Sequence, residues 1–425
     1  MASNTLWQQS EKVRTKLFPS WMENDFKVLT DFIAKGEVEM VGERDYRIPF
    51  KKTFGGRGGH YDPQLGDMGR GSSPTGNVMF QSFYSYRLNF EFDELQIAAT
   101  ENKATAVQNP FLQCVADGIR EIELLWDKII HSNGTAQLAQ ANAHSSATGV
   151  SVYTMTNAFG TQLLRIGQFY TIYDSTLTTV KSNGVLWATQ IGTQGRTLTL
   201  SGIVPSAAAT DVICFEGVSG ANPVGPRGLQ YWVSSAASGA TAGINRALEN
   251  QIISKSVDGT NGLTTEAVMA LNDRILMDRG EVPNLMGVCA PAQRAYAYTQ
   301  MVAIQMDLIE GEKAGVFDRL PKLKGKKFFM WGDIPHYVDI HQDATVNAYI
   351  VPSDWGRARL GNKPTGFYET PGKSGADARF YQLAGSSGGP AAGVWFGFVK
   401  NEDLYCINPG QQGLINNLPL SSYYS

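Results

Sequence analysis

The sequence predicts an α+β protein, because three kinds of pattern follow one another along its 425 residues. Apolar and polar residues alternate with a period of two before residue 93, which is typical of strands. Apolar residues spaced by three and four then mark a long helix, and a segment rich in Thr, Ser, Val and Gly follows it. Helix and strand signals are mixed from there to the C terminus, so we expect helical and sheet regions packed against one another.

Residues 1–36 are predicted to form an N-terminal arm with helical segments. Val13, Leu17 and Trp21 recur at helical spacing, and Pro19 interrupts the run. We expect this arm to lie along the body of the protein.

Residues 37–92 are predicted to form an extended β-hairpin with a long polar tip. The outgoing strand lies within residues 38–54, and the return strand is predicted at residues 84–92, where large apolar residues alternate with polar ones. The tip between them is rich in glycine, which makes a free loop costly to order. A long connection of this kind is usually functional or disordered. We therefore expect the hairpin to fold onto a neighbouring subunit, which would supply strand partners and apolar surface.

The hairpin carries the candidate inter-subunit contacts. Charges of both signs near the tip are typical of a solvated loop, and the same mixture gives specificity to a subunit contact. The aromatic residues of the return strand provide its apolar face. The candidates are Lys51, Lys52, Arg57, His60, Asp62, Asp67, Arg70, Tyr84, Tyr86 and Phe90.

Residues 93–147 contain the strongest helix signal in the chain. The helix is predicted at residues 107–131, where apolar residues recur every three or four positions, and Asn133 and Gly134 are a good stop signal.

Residues 148–233 predict a small β-rich domain between the helical regions. Charged residues almost vanish, and short strands are predicted at residues 168–173, 184–191, 197–200 and 211–216. Their spacing is typical of a barrel or a sandwich.

Residues 234–425 predict a mixed helix and strand region. Helices are expected at residues 263–279, with Thr264 or Thr265 as the N-cap and Glu266 in the first turn, and at residues 291–308. The predicted strands are residues 286–290, 326–330, 338–341, 347–351 and 393–400.

The composition excludes several classes of protein. The net charge is −3, with 36 basic and 39 acidic residues, which argues against a basic surface built to grip nucleic acid. The four cysteines are isolated, so they are predicted to be small buried apolar residues in a reducing compartment. No signal peptide and no run of eighteen apolar residues is apparent, so we expect a soluble protein that is not exported.

No catalytic, cofactor or metal site is predicted. Gly372, Lys373 and Ser374 form an incomplete phosphate-loop motif, because Phe367 stands where that motif needs glycine. Nucleophile, base and acid residues are not arranged in any recognisable catalytic order, so the chain is not predicted to be an enzyme.

A second group of polar residues is close enough in sequence to suggest metal ligands. Asp339, His341 and Asp343 would share one face of a predicted strand, and His336 would lie on the other. A half-exposed strand with a polar face explains the same residues, and this is the interpretation we favour.

The order of these elements resembles the major capsid protein of tailed double-stranded DNA bacteriophages. The resemblance covers essentially the whole chain, and it is one of architecture without a short diagnostic motif. It implies that residues 37–92 are the extended loop, residues 107–131 the spine helix beside a peripheral region, and residues 148–233 an insertion domain. Residues 234–425 would form the axial domain and the C-terminal peripheral strands.

The resemblance also implies a function and partners. Copies of the chain would associate as pentamers and hexamers in an icosahedral shell that encloses double-stranded DNA and touches it non-specifically. The shell would be the virion capsid, assembled in the host bacterial cytoplasm without a membrane. Because the N-terminal arm is short, a separate scaffolding protein is implied unless the arm alone suffices. A portal is implied as well, and a decoration protein is a further candidate partner.

Two alternatives stay open at this point. A cellular encapsulating compartment shares the same fold, and the sequence does not separate it from a phage shell. A β-rich enzyme or carbohydrate-binding virion protein would need exposed aromatic residues grouped with acids in residues 148–233, where carboxylates are few.

Overall fold

In the residues that the computed structural model describes, strands are many and helices are few. It describes residues 38–41, 45–53, 73–82, 84–93, 122, 125–156, 160–192, 196–217, 220–221, 225–279, 284–297, 328–331, 334–360, 365–367, 381–384 and 390–420. The predicted N-terminal arm and the incomplete phosphate-loop motif lie outside these residues.

The strands are numbered in chain order. The first twelve are β1 (Val38–Val41), β2 (Asp45–Thr53), β3 (Thr75–Ser82), β4 (Tyr86–Asp93), β5 (Gln137–Ala147), β6 (Val150–Met155), β7 (Phe169–Tyr173), β8 (Val180–Ile191), β9 (Thr197–Leu200), β10 (Val212–Phe215), β11 (Ala240–Thr241) and β12 (Ile244–Asn245). The remainder are β13 (Lys255–Asp258), β14 (Met286–Cys289), β15 (Phe328–Trp331), β16 (Ile334–Val338), β17 (Asn347–Ile350), β18 (Trp355–Leu360), β19 (Thr365–Phe367), β20 (Tyr381–Ala384), β21 (Pro390–Lys400), β22 (Glu402–Cys406) and β23 (Gly413–Asn416).

Helices occupy little of the described chain. The main one is Thr265–Arg279, and a single turn forms at Leu229–Trp232. Residues 125–129 and 291–297 are also helical, within the helices predicted at residues 107–131 and 291–308. The rest of those two predicted helices lies outside the described residues. No helix of the described chain is long and apolar enough to cross a membrane.

The chain forms two compact units. The first comprises residues 1–27, 83–127 and 359–402, and the second comprises residues 28–82, 128–358 and 403–425.

The first unit is built on strand β21. This strand pairs with β19, β20 and β4, and its antiparallel register with β4 places Phe396 opposite Phe90 and Lys400 opposite Tyr86. Phe396 and Phe398 are fully buried, and the ring of Phe90 stacks on Phe396 with 5.6 Å between centroids. The apolar face of β4 is therefore used inside this unit.

This pairing corrects one prediction. The return strand of the hairpin is β3, which pairs with β2 from Asp45 opposite Ser82 to Thr53 opposite Thr75. The predicted return strand, residues 84–92, coincides with β4, which pairs with β21 instead. The alternation itself is confirmed, because residues 84–91 alternate between half-buried and exposed. Alternation identifies the buried face of a strand, and it does not identify the strand beside it.

The second unit contains a closed six-stranded barrel. Its strand order is β10, β5, β6, β9, β8 and β7, and all its pairs are antiparallel. The four strands predicted within residues 168–216 are confirmed as β7 to β10, whereas β5 and β6 were not predicted. The barrel begins at Gln137, before the predicted domain boundary at residue 148.

An ion pair between Asp211 and Lys181 links two parts of the barrel. Asp211 is fully buried, and its carboxylate accepts a hydrogen bond from the Tyr153 hydroxyl at 3.0 Å and from the Lys181 ammonium at 2.5 Å. The backbone N–H of Ala208 donates to the same carboxylate at 2.9 Å. Because Tyr153 is desolvated beside the charge of Asp211, its pKa is raised well above the usual range of a tyrosine.

A six-stranded mixed sheet forms the other large part of the second unit. Its order is β13, β23, β17, β14, β16 and β15, with parallel pairs β13 to β23 and β14 to β16. Helix Thr265–Arg279 packs on this sheet through Val268, Leu271 and Ile275, which are almost fully buried. The predicted strand at residues 338–341 is wrong, because β16 ends at Val338 and a turn follows. Strand β1 forms a separate three-stranded sheet with β18 and β22.

Thr264 is the N-cap of this helix, as predicted for one of two adjacent threonines. Its hydroxyl oxygen accepts a hydrogen bond from the backbone N–H of Ala267 at 3.1 Å. We expect Thr264→Ala to lower the free energy of unfolding by about 1 kcal/mol, because it removes a partner from a helix-end N–H group. Urea unfolding of the unassembled subunit measures this change. Thr265→Ala is the control, since this neighbouring side chain is exposed and should change stability by less than about 0.5 kcal/mol.

His336 is buried in the sheet and neutral. Its Nδ1–H donates to the carbonyl oxygen of Ile334 at 2.9 Å, so Nε2 accepts from the Tyr349 hydroxyl at 3.0 Å. Burial lowers the pKa of His336 to about 4.

The lowered pKa of His336 predicts a pH dependence of stability. The unfolded chain binds a proton near pH 6.5 and the folded chain only near pH 4, so stability is complete above pH 6.5 and falls as the pH drops through this window. We expect the folded subunit to lose about 2 kcal/mol between pH 7 and pH 5 through this residue. Urea unfolding at both pH values should show this loss in the wild type and not in His336→Gln. Equal losses in the two proteins would contradict the assignment.

Three of the four cysteines are described, and all three are buried free thiols, Cys214, Cys289 and Cys406. Burial raises the pKa of Cys214 to about 12, so its thiol stays protonated. For these three residues the prediction of small buried apolar side chains is confirmed.

Candidate assembly interface

The hairpin of β2 and β3 is the first candidate contact element. Ile48 and Met79 lie opposite each other in its ladder and are 3% and 0% exposed, so one part of the hairpin is covered. Thr75, Gly76 and Asn77 at the other end of β3 are exposed. In the described part of the chain β2 and β3 pair only with each other, so their outer edges present backbone groups to a further strand.

Two of the seven charged candidates lie in the described part of the hairpin. Lys51 and Lys52 are in β2, with Lys51 opposite Gly76. The other charged candidates, Arg57, His60, Asp62, Asp67 and Arg70, lie outside the described residues. Their role in subunit contacts stays a prediction.

The aromatic candidates lie in or next to β4. Tyr84, Tyr86 and Phe90 are half-buried within the first unit. The ring of Tyr86 meets the edge of Trp126 at 6.0 Å, and Phe90 contacts both Phe396 and Phe398. Much of the surface of Tyr86 and Phe90 is therefore used inside the chain, which leaves their partly exposed edges for any subunit contact.

The barrel presents a second apolar surface, which the sequence did not predict. Phe169 and Trp187 are opposite each other in strands β7 and β8, with ring centroids 5.5 Å apart. Both rings are partly exposed, and Val185, two residues before Trp187 in β8, is 68% exposed. Large exposed apolar side chains grouped in this way often mark a contact surface. The alternation of β8 is the signal that could have found it, since Leu186 and Ala188 point inward.

The metal-ligand candidates do not share a strand face. Asp339 and His341 lie in the turn after β16 and are buried, with 0% and 6% exposure, so the half-exposed strand that we favoured is wrong. The turn forms because the Asp339 carboxylate accepts the backbone N–H of His341 at 2.9 Å. Asp343 similarly binds the N–H and hydroxyl of Thr345.

The structure brings a distant histidine to this turn. His131 follows the helical residues 125–129, and its Nε2 lies 3.1 Å from Oδ2 of Asp339. His131, Asp339 and His341 each offer a nitrogen or oxygen atom, and these three atoms lie within 4.8 Å of one another. Since more than two hundred residues separate His131 from Asp339, sequence spacing carried no signal of this group.

Among the comparisons with known proteins, only the comparison with solved structures found matches. No family model matches the sequence, and no curated protein matches it. The solved asymmetric unit of the cyanophage A-1(L) capsid matches with a TM-score of 0.52 and 12% identity, over 94% of this chain and 94% of that chain. This chain has the fold of a phage capsid protein.

Other solved structures match with lower TM-scores. The satellite phage P4 procapsid, which includes the size determination protein Sid, matches with a TM-score of 0.41 and 11% identity, over 98% of this chain and 99% of that chain. The holo-SrpI encapsulin complex from Synechococcus elongatus PCC 7942 matches with a TM-score of 0.43 and 8% identity, over 97% of each chain.

The capsid fold accounts for the mixture of elements that the sequence predicted. The α+β class and the resemblance to phage major capsid proteins are confirmed by a match that spans nearly the whole chain. At 12% identity this agreement concerns the fold alone.

Proposed function

We propose that this chain is the major capsid protein of a tailed double-stranded DNA bacteriophage. The observation that carries the proposal is the fold, which matches the cyanophage A-1(L) capsid over 94% of both chains. In this role the chain is structural, and its copies associate as pentamers and hexamers in an icosahedral shell that encloses DNA.

The hairpin of β2 and β3 supports the mechanical part of this proposal. A two-stranded hairpin is marginally stable by itself in water, and the edges of β2 and β3 carry no further strand in the described chain. A neighbouring subunit would supply that partner by strand addition or by covering the exposed end. Lys51, Lys52, Arg57, His60, Asp62, Asp67 and Arg70 would then set the register of the contact, because opposite charges favour one alignment over others.

The charge of the chain fits a shell that encloses nucleic acid loosely. With a net charge of −3, the protein has no overall excess of positive charge to bind DNA tightly. Loose, non-specific contact allows packaged DNA to slide past the inner surface. We propose that a separate scaffolding protein, a portal and a decoration protein complete the particle, which assembles in the host cytoplasm.

Electron microscopy tests the proposal. The full chain is expressed with and without a candidate scaffolding protein encoded next to its gene, purified by size exclusion and imaged in negative stain. We expect rings, tubes or closed shells, because the subunits have the capsid fold. A uniform small species under both conditions would refute it. Closed shells that form around a cargo protein encoded beside the gene would instead support a cellular encapsulating compartment.

A further inference from the structure

We propose that His131, Asp339 and His341 form a binding site for a divalent transition-metal ion, with Zn²⁺ as the ion that the ligands suit best. The site ties the turn after the helical residues 125–129 to the turn after strand β16. It lies wholly within the second unit.

All three residues are buried. Their exposed fractions are 1% for His131, 0% for Asp339 and 6% for His341. Two imidazoles and a carboxylate placed together inside a protein are costly to desolvate, and buried charged groups are usually paired or bound to metal. Two histidine nitrogens with a carboxylate oxygen form a common ligand set for zinc.

The hydrogen bonds of Gln342 determine which ring nitrogen of His131 carries the hydrogen. The side-chain N–H of Gln342 donates to the carbonyl oxygen of Val346 at 2.9 Å, which fixes the orientation of the amide. Its oxygen then lies 3.3 Å from Nδ1 of His131, so Nδ1 carries the hydrogen and donates. In the neutral ring, Nε2 therefore presents a lone pair to Oδ2 of Asp339 at 3.1 Å.

Two lone pairs facing each other at this distance require a positive charge between or beside them. A metal ion supplies it, and Gln342 would then be the outer partner that orients the ligating imidazole, as such partners commonly do. An imidazolium paired with the carboxylate is the competing arrangement.

The distances between ligand atoms are compatible with a metal, since one atom from each of the three residues lies within 4.8 Å of the others. Zinc binds nitrogen and oxygen at about 2.0–2.2 Å, so two ligands of a tetrahedral site lie about 3.4 Å apart. His131 Nε2 is 3.1 Å from Oδ2 of Asp339, and His341 Nδ1 is 3.6 Å from Oδ1 of the same residue.

The backbone holds the ligands in place. The N–H of Asp339 donates to the carbonyl oxygen of Cys289 in β14 at 2.9 Å, which fixes the turn to the central sheet. The Asp339 carboxylate also accepts the N–H of His341, so two ligands are positioned by one turn. A site held by packed elements loses little entropy when it binds its ion. Imidazole ligands favour zinc and its neighbours over Mg²⁺ or Ca²⁺, which prefer oxygen.

Zinc uptake by the full chain tests the proposal. The unassembled subunit is treated with EDTA, desalted, incubated with ZnCl₂ and passed through a gel-filtration column, and bound zinc is measured by atomic absorption. We expect about one zinc per subunit in the wild type and binding at least tenfold weaker in His341→Ala. Zinc at a hundredfold excess over its dissociation constant should raise the unfolding temperature of the wild type by about 3 °C.

His144→Ala is the matched control, because His144 lies on the barrel and contacts the ring of Tyr153 instead. It should keep the same zinc uptake as the wild type. If the wild type retains no more zinc than His341→Ala, the site is an imidazolium and carboxylate pair and the proposal is overturned. If His341→Ala does not fold, Co²⁺ is added to the wild type: the visible absorption of tetrahedral cobalt supports the site, and its absence overturns it.

Discussion

Deletion of residues 55–72 is expected to abolish shell assembly and to leave a folded subunit. The deletion joins β2 to β3 through a short connection, because Thr53 and Thr75 are already opposite each other. The covered pair of Ile48 and Met79 lies well inside the ladder, so the rest of the second unit should keep its stability. Assembly should fail for two reasons. The deletion removes five of the seven charged contact candidates, and it shortens the loop that would reach the neighbouring subunit.

The experiment separates loss of folding from loss of assembly. Size exclusion and negative-stain microscopy measure assembly, and a cooperative thermal transition close to that of the unassembled wild type shows folding. A second variant replaces residues 55–72 by Gly and Ser of equal length, which keeps the reach and removes the charges. Shells from this variant alone would assign the effect to reach, and shells of normal size from the deletion would contradict the proposed role of the loop.

The alternation of residues 84–91 shows what a local pattern can and cannot predict. It correctly identified the half-buried face of β4, because the side-chain period of a strand follows from backbone geometry. It assigned the wrong partner, because pairing with β21 joins segments about three hundred residues apart. The pattern of a strand contains no information about so distant a neighbour.

The first two strands of the barrel were missed for a different reason. Strand β5, Gln137–Ala147, consists mainly of small and polar residues and has little apolar alternation. It is held by hydrogen bonds to β6 and β10 on either side, which close the barrel. Its turn to β6 places Thr148 and Gly149 at positive φ, as a tight two-residue hairpin requires. Closure of the barrel supplies stability that the composition of β5 does not reveal.

The residues of the proposed metal site also show that a local sequence pattern does not reveal contacts between distant elements. Asp339 and His341 were considered as metal-ligand candidates, and a half-exposed strand with a polar face was the favoured interpretation. The turn is set by one side-chain hydrogen bond from a backbone N–H to Asp339, and the third ligand comes from the end of another element. Neither the turn at Asp339 nor the approach of His131 could be predicted from this sequence alone.

Removal of the Asp211 carboxylate is expected to destabilise the barrel strongly. In Asp211→Ala the Lys181 ammonium, the Tyr153 hydroxyl and the Ala208 N–H all lose the carboxylate oxygens that they bind. Lys181 is only 13% exposed, so its charge is left partly buried without a counterion. Breaking a buried pair in this way costs about 4 kcal/mol.

Hydrogen exchange measures this loss in the intact subunit, because amides of the barrel exchange through its local opening. Peptides from residues 137–216 should exchange about a thousandfold faster in Asp211→Ala, which corresponds to about 4 kcal/mol. The control is Asp278→Ala, which breaks the ion pair between Lys255 and Asp278 at a side chain that is 53% exposed. That pair should contribute less than about 1 kcal/mol. If Asp211→Ala exchanges at the rate of the wild type, the stability of the barrel does not depend on this ion pair.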